Sequence, residues 1–186
     1  MFQPTPLTFR VLSIDAGSRQ GLGVTISTFS PEEMLVEHVS TIDVLAMQKD
    51  LLDPGDRYDL IHEVIKNMIN DWKVQEVVVE DIFCNPRLVL AYRSLVLTLN
   101  AFRMAIRDTV GGRMNLIRAN EAKNAIGVKM NSGDKTLVNQ ALQKPLPRLA
   151  IPKEIGLPYL DQHSNDSVAV GYGYYLRRYH DSSTGD

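Results

Sequence analysis

The stretch EVVVED at residues 76–81 sets the strictest limit on what this chain can fold into. Consecutive valines without polar alternation mark a strand covered on both faces, as in a sheet sandwiched between helices. The strand ends in two carboxylates, Glu80 and Asp81. An earlier run, VLSIDAGSRQGLGVTIS at 11–27, is built similarly: an apolar strand carrying Asp15, a turn, then a second set of strand-formers. A carboxylate leaving a buried strand is costly unless a cation, a hydrogen-bonding loop or solvent meets it. For Asp15 all three readings stand open.

Around these runs the pattern predicts strands at 10–16, 21–29 and 34–43, joined closely enough for an antiparallel meander. In YDLIHEVIKNMINDW, Leu60, Ile61, Val64, Ile65, Met68, Ile69 and Trp72 fall at helical spacing, and Asp56 or a neighbour suits the cap. Beyond EVVVED, Asn85-Pro86 fits a cap followed by proline at the first helical position. The helix from there to about Asp108 is apolar nearly all round, which places it centrally or against a second subunit. NLIRAN at 115–120 reads as a fifth strand, with helices expected near Glu121 and over DKTLVNQALQ after a Gly127–Gly133 loop. KPLPRLAIPKEIGLP is expected to be irregular, because proline neither donates to a ladder nor fits a helix interior. A last helix starts near SNDSVAV. The order β-β-β-α-β-α-β-α-α predicts one mixed sheet with helices on both faces. A single domain is expected over 1–180, with 181–186 a disordered tail.

A chain of 186 residues, 44% apolar and 23% charged, has material for one proper core. The single cysteine, Cys84, cannot form an internal disulfide. The opening MFQPTPLTFR has neither a basic stretch nor an apolar run of signal-peptide or membrane-span length, so a cytoplasmic protein with no membrane partner is expected. The net charge of −2 conceals an asymmetry. Residues 1–80 hold 6 Lys/Arg against 13 Asp/Glu, residues 81–153 hold 12 against 4, and residues 154–186 hold 2 against 5. The basic middle is a candidate footprint for a polyanion, or a set of charges on ordinary solvated helices.

Asp15 and Glu80 lie at strand ends, while His163 and Asp166 open the final helix three residues apart and so share a face. Individually these have structural readings: Asp15 as a turn residue, Asp166 as a cap, His163 as a surface histidine. Together they make a donor set able to hold two hard divalent cations about 3.5–4 Å apart, an arrangement suited to in-line attack of water on a phosphodiester. Strand alternation sends Glu80 and Asp81 to opposite faces, so one of them joins such a set.

These blocks resemble the RuvC-type Holliday junction resolvases of the RNase H-like nuclease superfamily. IDAGSRQGLGVTI is similar to that family's opening strand and turn, with Ala16 where many members have proline. VVVEDIF is similar to its strand ending in a catalytic Glu, followed three residues later by a phenylalanine, here Phe83. NLIRANEAKNAIGVKMNSGDKTLVNQAL and DQHSNDSVAVGYGYY resemble its later strand, lysine-bearing segments and last helix, over roughly residues 10–180 in all. The resemblance implies a five-stranded mixed sheet, three strands antiparallel and two parallel, with helices on both faces. It implies a catalytic set of Asp15, Glu80, His163 and Asp166 binding two Mg²⁺ or Mn²⁺ ions, with Asp15 bridging them and Lys135 facing the scissile phosphate. His163 stands where many members carry Asp, and histidine favours Mn²⁺ over Mg²⁺; Asp161 is the alternative ligand.

The same resemblance implies a divalent-metal-dependent endodeoxyribonuclease cutting four-way or branched DNA, with Phe83 stacking on an unpaired base. Arg19, Arg87, Lys123 and Lys129 lie beside the implied catalytic elements and are the DNA-binding candidates. Paired nicks in a two-fold symmetric junction call for a C₂ homodimer, with helix 86–107 as the interface candidate. Other readings are an RNA-cutting nuclease of the same fold, a non-catalytic branched-DNA binder, and an actin or sugar-kinase relative. The last needs two such domains around a nucleotide and has no use for the His163/Asp166 pair, so no nucleotide cofactor is expected.

Overall fold

The computed structural model describes residues 8–16, 21–44, 46, 56–81, 89–112, 114–129 and 136–179. The strand anticipated from EVVVED lies between the first strand of the chain and one edge strand of a single sheet. Strands β1 (Phe9–Asp15), β2 (Leu22–Phe29), β3 (Met34–Ile42), β4 (Glu76–Asp81), β5 (Met114–Arg118) and β6 (Leu149–Ala150) form one sheet in the order β5-β4-β1-β2-β3-β6. β1 runs antiparallel to β2, and β2 to β3, while β4 is parallel to both β1 and β5.

Two apolar cores lie on opposite faces of this sheet, and strand parity assigns each residue to one of them. Leu12, Ile14, Val77 and Val79 point to the core closed by helix α1 (Asp56–Asp71) and helix α2 (Val89–Thr109). α1 buries Ile61, Ile65 and Ile69 there, three positions of the predicted apolar stripe. Val11 and Val78 point the other way, to the core closed by α3 (Ala119–Ala125), α4 (Leu137–Leu142) and α5 (Gln162–Tyr179). β4 is thus covered on both faces, as its continuous valines require.

Three expectations need correction. The sheet has six strands rather than five, because the proline-rich passage contributes β6, which pairs parallel to β3 through Met34–Leu149 and Leu35–Ala150. Pro147 and Pro152 flank it and hold it to two residues at the sheet edge, where a missing N–H is tolerated. Two 3₁₀ turns, Lys153–Ile155 and Leu157–Tyr159, then follow in a stretch expected to be irregular. Helix α2 is not the central helix: Val96, Leu97 and Met104 are 41%, 38% and 39% exposed. The central helix is α5, buried continuously from Ser164 to Tyr175.

α5 reaches this depth because its contact surface is made of small residues. A β-carbon on Gly23 of β2 would fall 1.8 Å from the His163 carbonyl oxygen, and one on Gly171 of α5 would fall 2.5 Å from Ser13 Oγ of β1. Hydroxyls complete the seam. Thr25 and Ser167 share a hydrogen bond at 2.6 Å, and Thr41 and Ser164 one at 2.8 Å. Among the described residues, no helix is long and apolar enough to cross a membrane.

This packing predicts that Gly23→Ala pushes α5 off the sheet and costs about 1–3 kcal/mol or more, a fall in Tm of ~2–12 °C for a chain of this size. Gly112→Ala, where an added β-carbon meets nothing closer than 3.6 Å, leaves Tm within about a degree. Thermal unfolding followed by circular dichroism compares the two.

Candidate active site

Strand parity brings the acids together. Asp15 shares its face with Val11 and Ser13, and Glu80 shares its face with Val78, so both look toward α5. Asp81, one residue on, belongs to the opposite face. Parallel pairing of β1 with β4 places the C-terminal ends of both strands at one end of the sheet. The first turn of α5 crosses this end, its backbone lying on Gly23, the residue that pairs with Asp15.

Asp161 starts that turn. Its Oδ1 accepts the Ser164 amide at 2.8 Å and the Thr41 hydroxyl at 2.7 Å, the geometry of an N-cap. Burial opposes its ionisation, but these donors together with the Ser164 hydroxyl and the His163 charge outweigh it and hold the carboxyl below its usual range. The structure therefore places Asp161 as the cap of α5, its carboxylate occupied by the Ser164 amide and the Thr41 hydroxyl. The sequence reading gave the cap to Asp166 and missed Asp161, although an aspartate just before the helix start is the ordinary capping signal.

In the first turn of α5, His163 donates from Nδ1 to Asp15 Oδ2 at 2.8 Å. That hydrogen bond raises the imidazole's pKa against the effect of burial, and the Asp15 charge adds to the rise. Asp166 follows on the same face, 8% exposed; its Oδ2 accepts from Gln162 Nε2 at 3.4 Å, and its Oδ1 is buried with no hydrogen-bond partner. Burial, reinforced by the Asp15 charge, pushes Asp166 up to about 6. Burial likewise pushes Glu80 up to about 8, with Asp15 and Asp166 adding to it. Lys123 of α3 opposes both shifts, so its ammonium stands near the two carboxylates. Asp15, Glu80, His163 and Asp166 thus form one electrostatic neighbourhood short of positive charge.

Lys129 is exposed just beyond α3. Arg19, Phe83, Arg87 and Lys135 lie outside the described residues. Sequence reasoning missed Gln162, the donor to Asp166, and the Thr25, Thr41, Ser164 and Ser167 hydroxyls under the first turns of α5. Among the described residues, no three His, Cys, Asp or Glu side chains are drawn into a closed metal-chelating group. The donor set nevertheless suits a hard divalent cation: three carboxylates and an imidazole share the site, and one buried carboxylate oxygen has no donor.

No protein-family model and no curated protein matches the sequence. Solved structures do match the fold. RuvC of Thermus thermophilus in complex with a Holliday junction substrate superposes with a TM-score of 0.67 at 17% identity, covering 94% of this chain and 97% of that one. A second structure of the T. thermophilus RuvC gives 0.65 at 18% identity, covering 92% and 96%. The yeast mitochondrial Holliday junction resolvase Ydc2 gives 0.63 at 14% identity, covering 97% and 87%. The chain has the RNase H-like fold of the RuvC-type resolvases across nearly its whole length.

The raised pKa values fix how stability depends on pH. Glu80 and Asp166 bind protons more tightly folded than unfolded, so the native state loses stability as pH rises from about 4 through 6 and 8. His163, also raised, adds stability that is complete below its unfolded pKa and lost as pH climbs through the folded value. The metal-free protein is therefore expected to lose on the order of a few kcal/mol between pH 5 and 8. Glu80→Gln is expected to flatten that slope in urea titrations across the range.

Proposed function

We propose that the chain is a structure-selective endonuclease that resolves four-way DNA junctions by metal-dependent phosphodiester hydrolysis. The observation that carries this reading is the convergence of Asp15, Glu80, His163 and Asp166 at one end of a RuvC-like sheet, where Lys123 and His163 only partly offset the charge of the carboxylates. Asp15, Glu80 and Asp166 would hold two Mg²⁺ or Mn²⁺ ions. His163, hydrogen-bonded to Asp15 through Nδ1, would be the fourth member of the set. When bound, such ions activate water and offset the charge that builds on the scissile phosphate.

The protein's own groups divide the remaining work. Asp15 orients the His163 ring, and Gln162 holds one oxygen of Asp166 so that the other faces the site. The Asp161 cap and the hydroxyl seam fix the first turn of α5, which keeps His163 and Asp166 in register with the strand-end acids. Lys123 places a positive charge where a phosphate enters. Lys129, Arg19 and Arg87 supply backbone contacts, Lys135 adds charge at the reacting phosphate, and Phe83 stacks on an unpaired base at the branch.

A four-way junction is two-fold symmetric, so matched nicks need two symmetry-related sites. The exposed Val96, Leu97 and Met104 give α2 an apolar stripe suited to a homodimer contact. Leu97→Glu combined with Met104→Glu is expected to yield a monomer by sedimentation velocity.

The function is tested by incubating the protein with a labelled four-way junction, a matched duplex and a single-stranded RNA, each with Mg²⁺, Mn²⁺ or EDTA. Paired nicks confined to the junction and abolished by EDTA are expected. Cleavage of RNA only, or of no substrate, would overturn the reading. Asp15→Asn and Asp166→Asn are expected to lower cleavage by ~10³-fold or more while junction binding persists. Loss of binding along with cleavage would make both residues structural.

A further inference from the structure

The proline-rich passage builds a second feature at the α5 end of the molecule. A groove of about 610 Å³ runs between the end of α4 and the two 3₁₀ turns. Leu146, Ile151 and Leu157, half-buried against the α5 core, make its apolar floor. The charged residues lining it are Lys144 and Lys153, both exposed; Glu154, in the same 3₁₀ turn as Lys153, does not line it. At its rim stands Tyr159, 93% exposed, its ring open to solvent.

The backbone that carries the ring is tied down by hydrogen bonds. Gly156, at φ +66°, makes the left-handed bend between the two 3₁₀ turns, and the Tyr159 amide donates back to its carbonyl at 2.8 Å. Asn139 Nδ2 donates to the Leu157 carbonyl at 2.9 Å and to Asn165 Oδ1 at 3.2 Å. Asn165 Nδ2 in turn donates to the carbonyls of Leu160 and Asp161 at 3.1 and 2.7 Å. Two asparagines therefore lock the Tyr159 segment to the first turn of α5. Tyr159 precedes His163 by four residues, a span of at most about 14 Å of chain.

We infer that this groove is a single-strand subsite, in which Lys144 and Lys153 pair with backbone phosphates and a base stacks on Tyr159. The inference rests on the DNA-cleaving reading of the neighbouring acid cluster and extends it to the strand beyond the cut. The chemistry fits a polynucleotide on three counts: paired cations without a lining carboxylate, an apolar floor, and an open aromatic face. A tyrosine this exposed buries little area on folding, and its fixed backbone lowers the cost of presenting the ring to a base. The basic balance of residues 81–153, which contain both lysines, gives the groove the sign a phosphate strand needs.

The test measures binding of the full chain to a labelled four-way junction and to an oligothymidylate, across a salt series, with folding checked by circular dichroism. Tyr159→Ala is expected to weaken oligothymidylate binding about 5- to 100-fold, while Tyr159→Phe restores it. Lys144→Gln and Lys153→Gln are each expected to reduce the slope of log affinity against log salt by about 0.7 for the single strand. Tyr159→Trp adds a reporter whose emission is quenched on binding, against the constant background of Trp72. Variants that bind like the wild type, with no quenching, would overturn the subsite while leaving junction cleavage by the wild type intact. A wild type that neither binds nor cuts DNA would overturn the functional reading and the subsite together. A concentration-dependent mass change abolished by Tyr159→Ala, with unchanged DNA binding, would assign the groove to a second copy of the chain and likewise overturn it.

Discussion

The approach of α5 to the sheet governs the rest of the molecule. With a hydrogen in place of a side chain at Gly23, the carbonyl of His163 lies where a β-carbon would otherwise sit. Ser13, Thr25 and Gly171 continue the same close seam along β1, β2 and α5. Helix-on-sheet packing normally leaves a layer of large side chains between backbones, which would hold helix-borne ligands away from acids on the strands. Here the layer is thinned near the site, and His163 reaches Asp15 directly. The tyrosines at the other end of α5, Tyr172, Tyr174 and Tyr175, supply the apolar bulk that the first turns give up.

This arrangement works against folding at the place where the carboxylates gather. Asp15, Glu80 and Asp166 repel one another in a partly dry pocket, and Lys123 and His163 offset only part of that charge. Strain of this kind persists because the two flanking cores over-determine the strand ends that carry it. A bound cation relieves the same repulsion, so ligand binding and folding stability are linked through these residues.

Much of the architecture was readable because it rests on periodicity. Val77, Val78 and Val79 announce a strand covered on both sides, and the same alternation separates Glu80 from Asp81. Ile61, Ile65 and Ile69 do the same for α1. What escaped reading depends on contacts between residues distant in the chain. Ser164 and Ser167 look like solvent-facing residues until Thr25 and Thr41 appear beneath them. Leu149 and Ala150 are a strand only because Met34 and Leu35 offer an edge. Lys123 takes its significance from Glu80 and Asp166, 43 residues away in either direction. The apolar composition of α2 left it central or against a second subunit, because composition does not say which of several apolar faces a neighbour will cover.

The β3 border of the sheet has a further bearing on how the protein behaves at high concentration. β6 pairs with two residues of nine-residue β3, and among the described residues no other strand pairs with that side of β3. The register between β2 and β3 shifts beside Ile26 and Ser27, leaving Glu37 as the extra residue of a bulge, where it meets Arg10 and Thr28. A kinked edge with a charged side chain at the kink is a poor template for another strand. The bulge thereby works against edge-to-edge polymerisation and cross-β aggregation at that border.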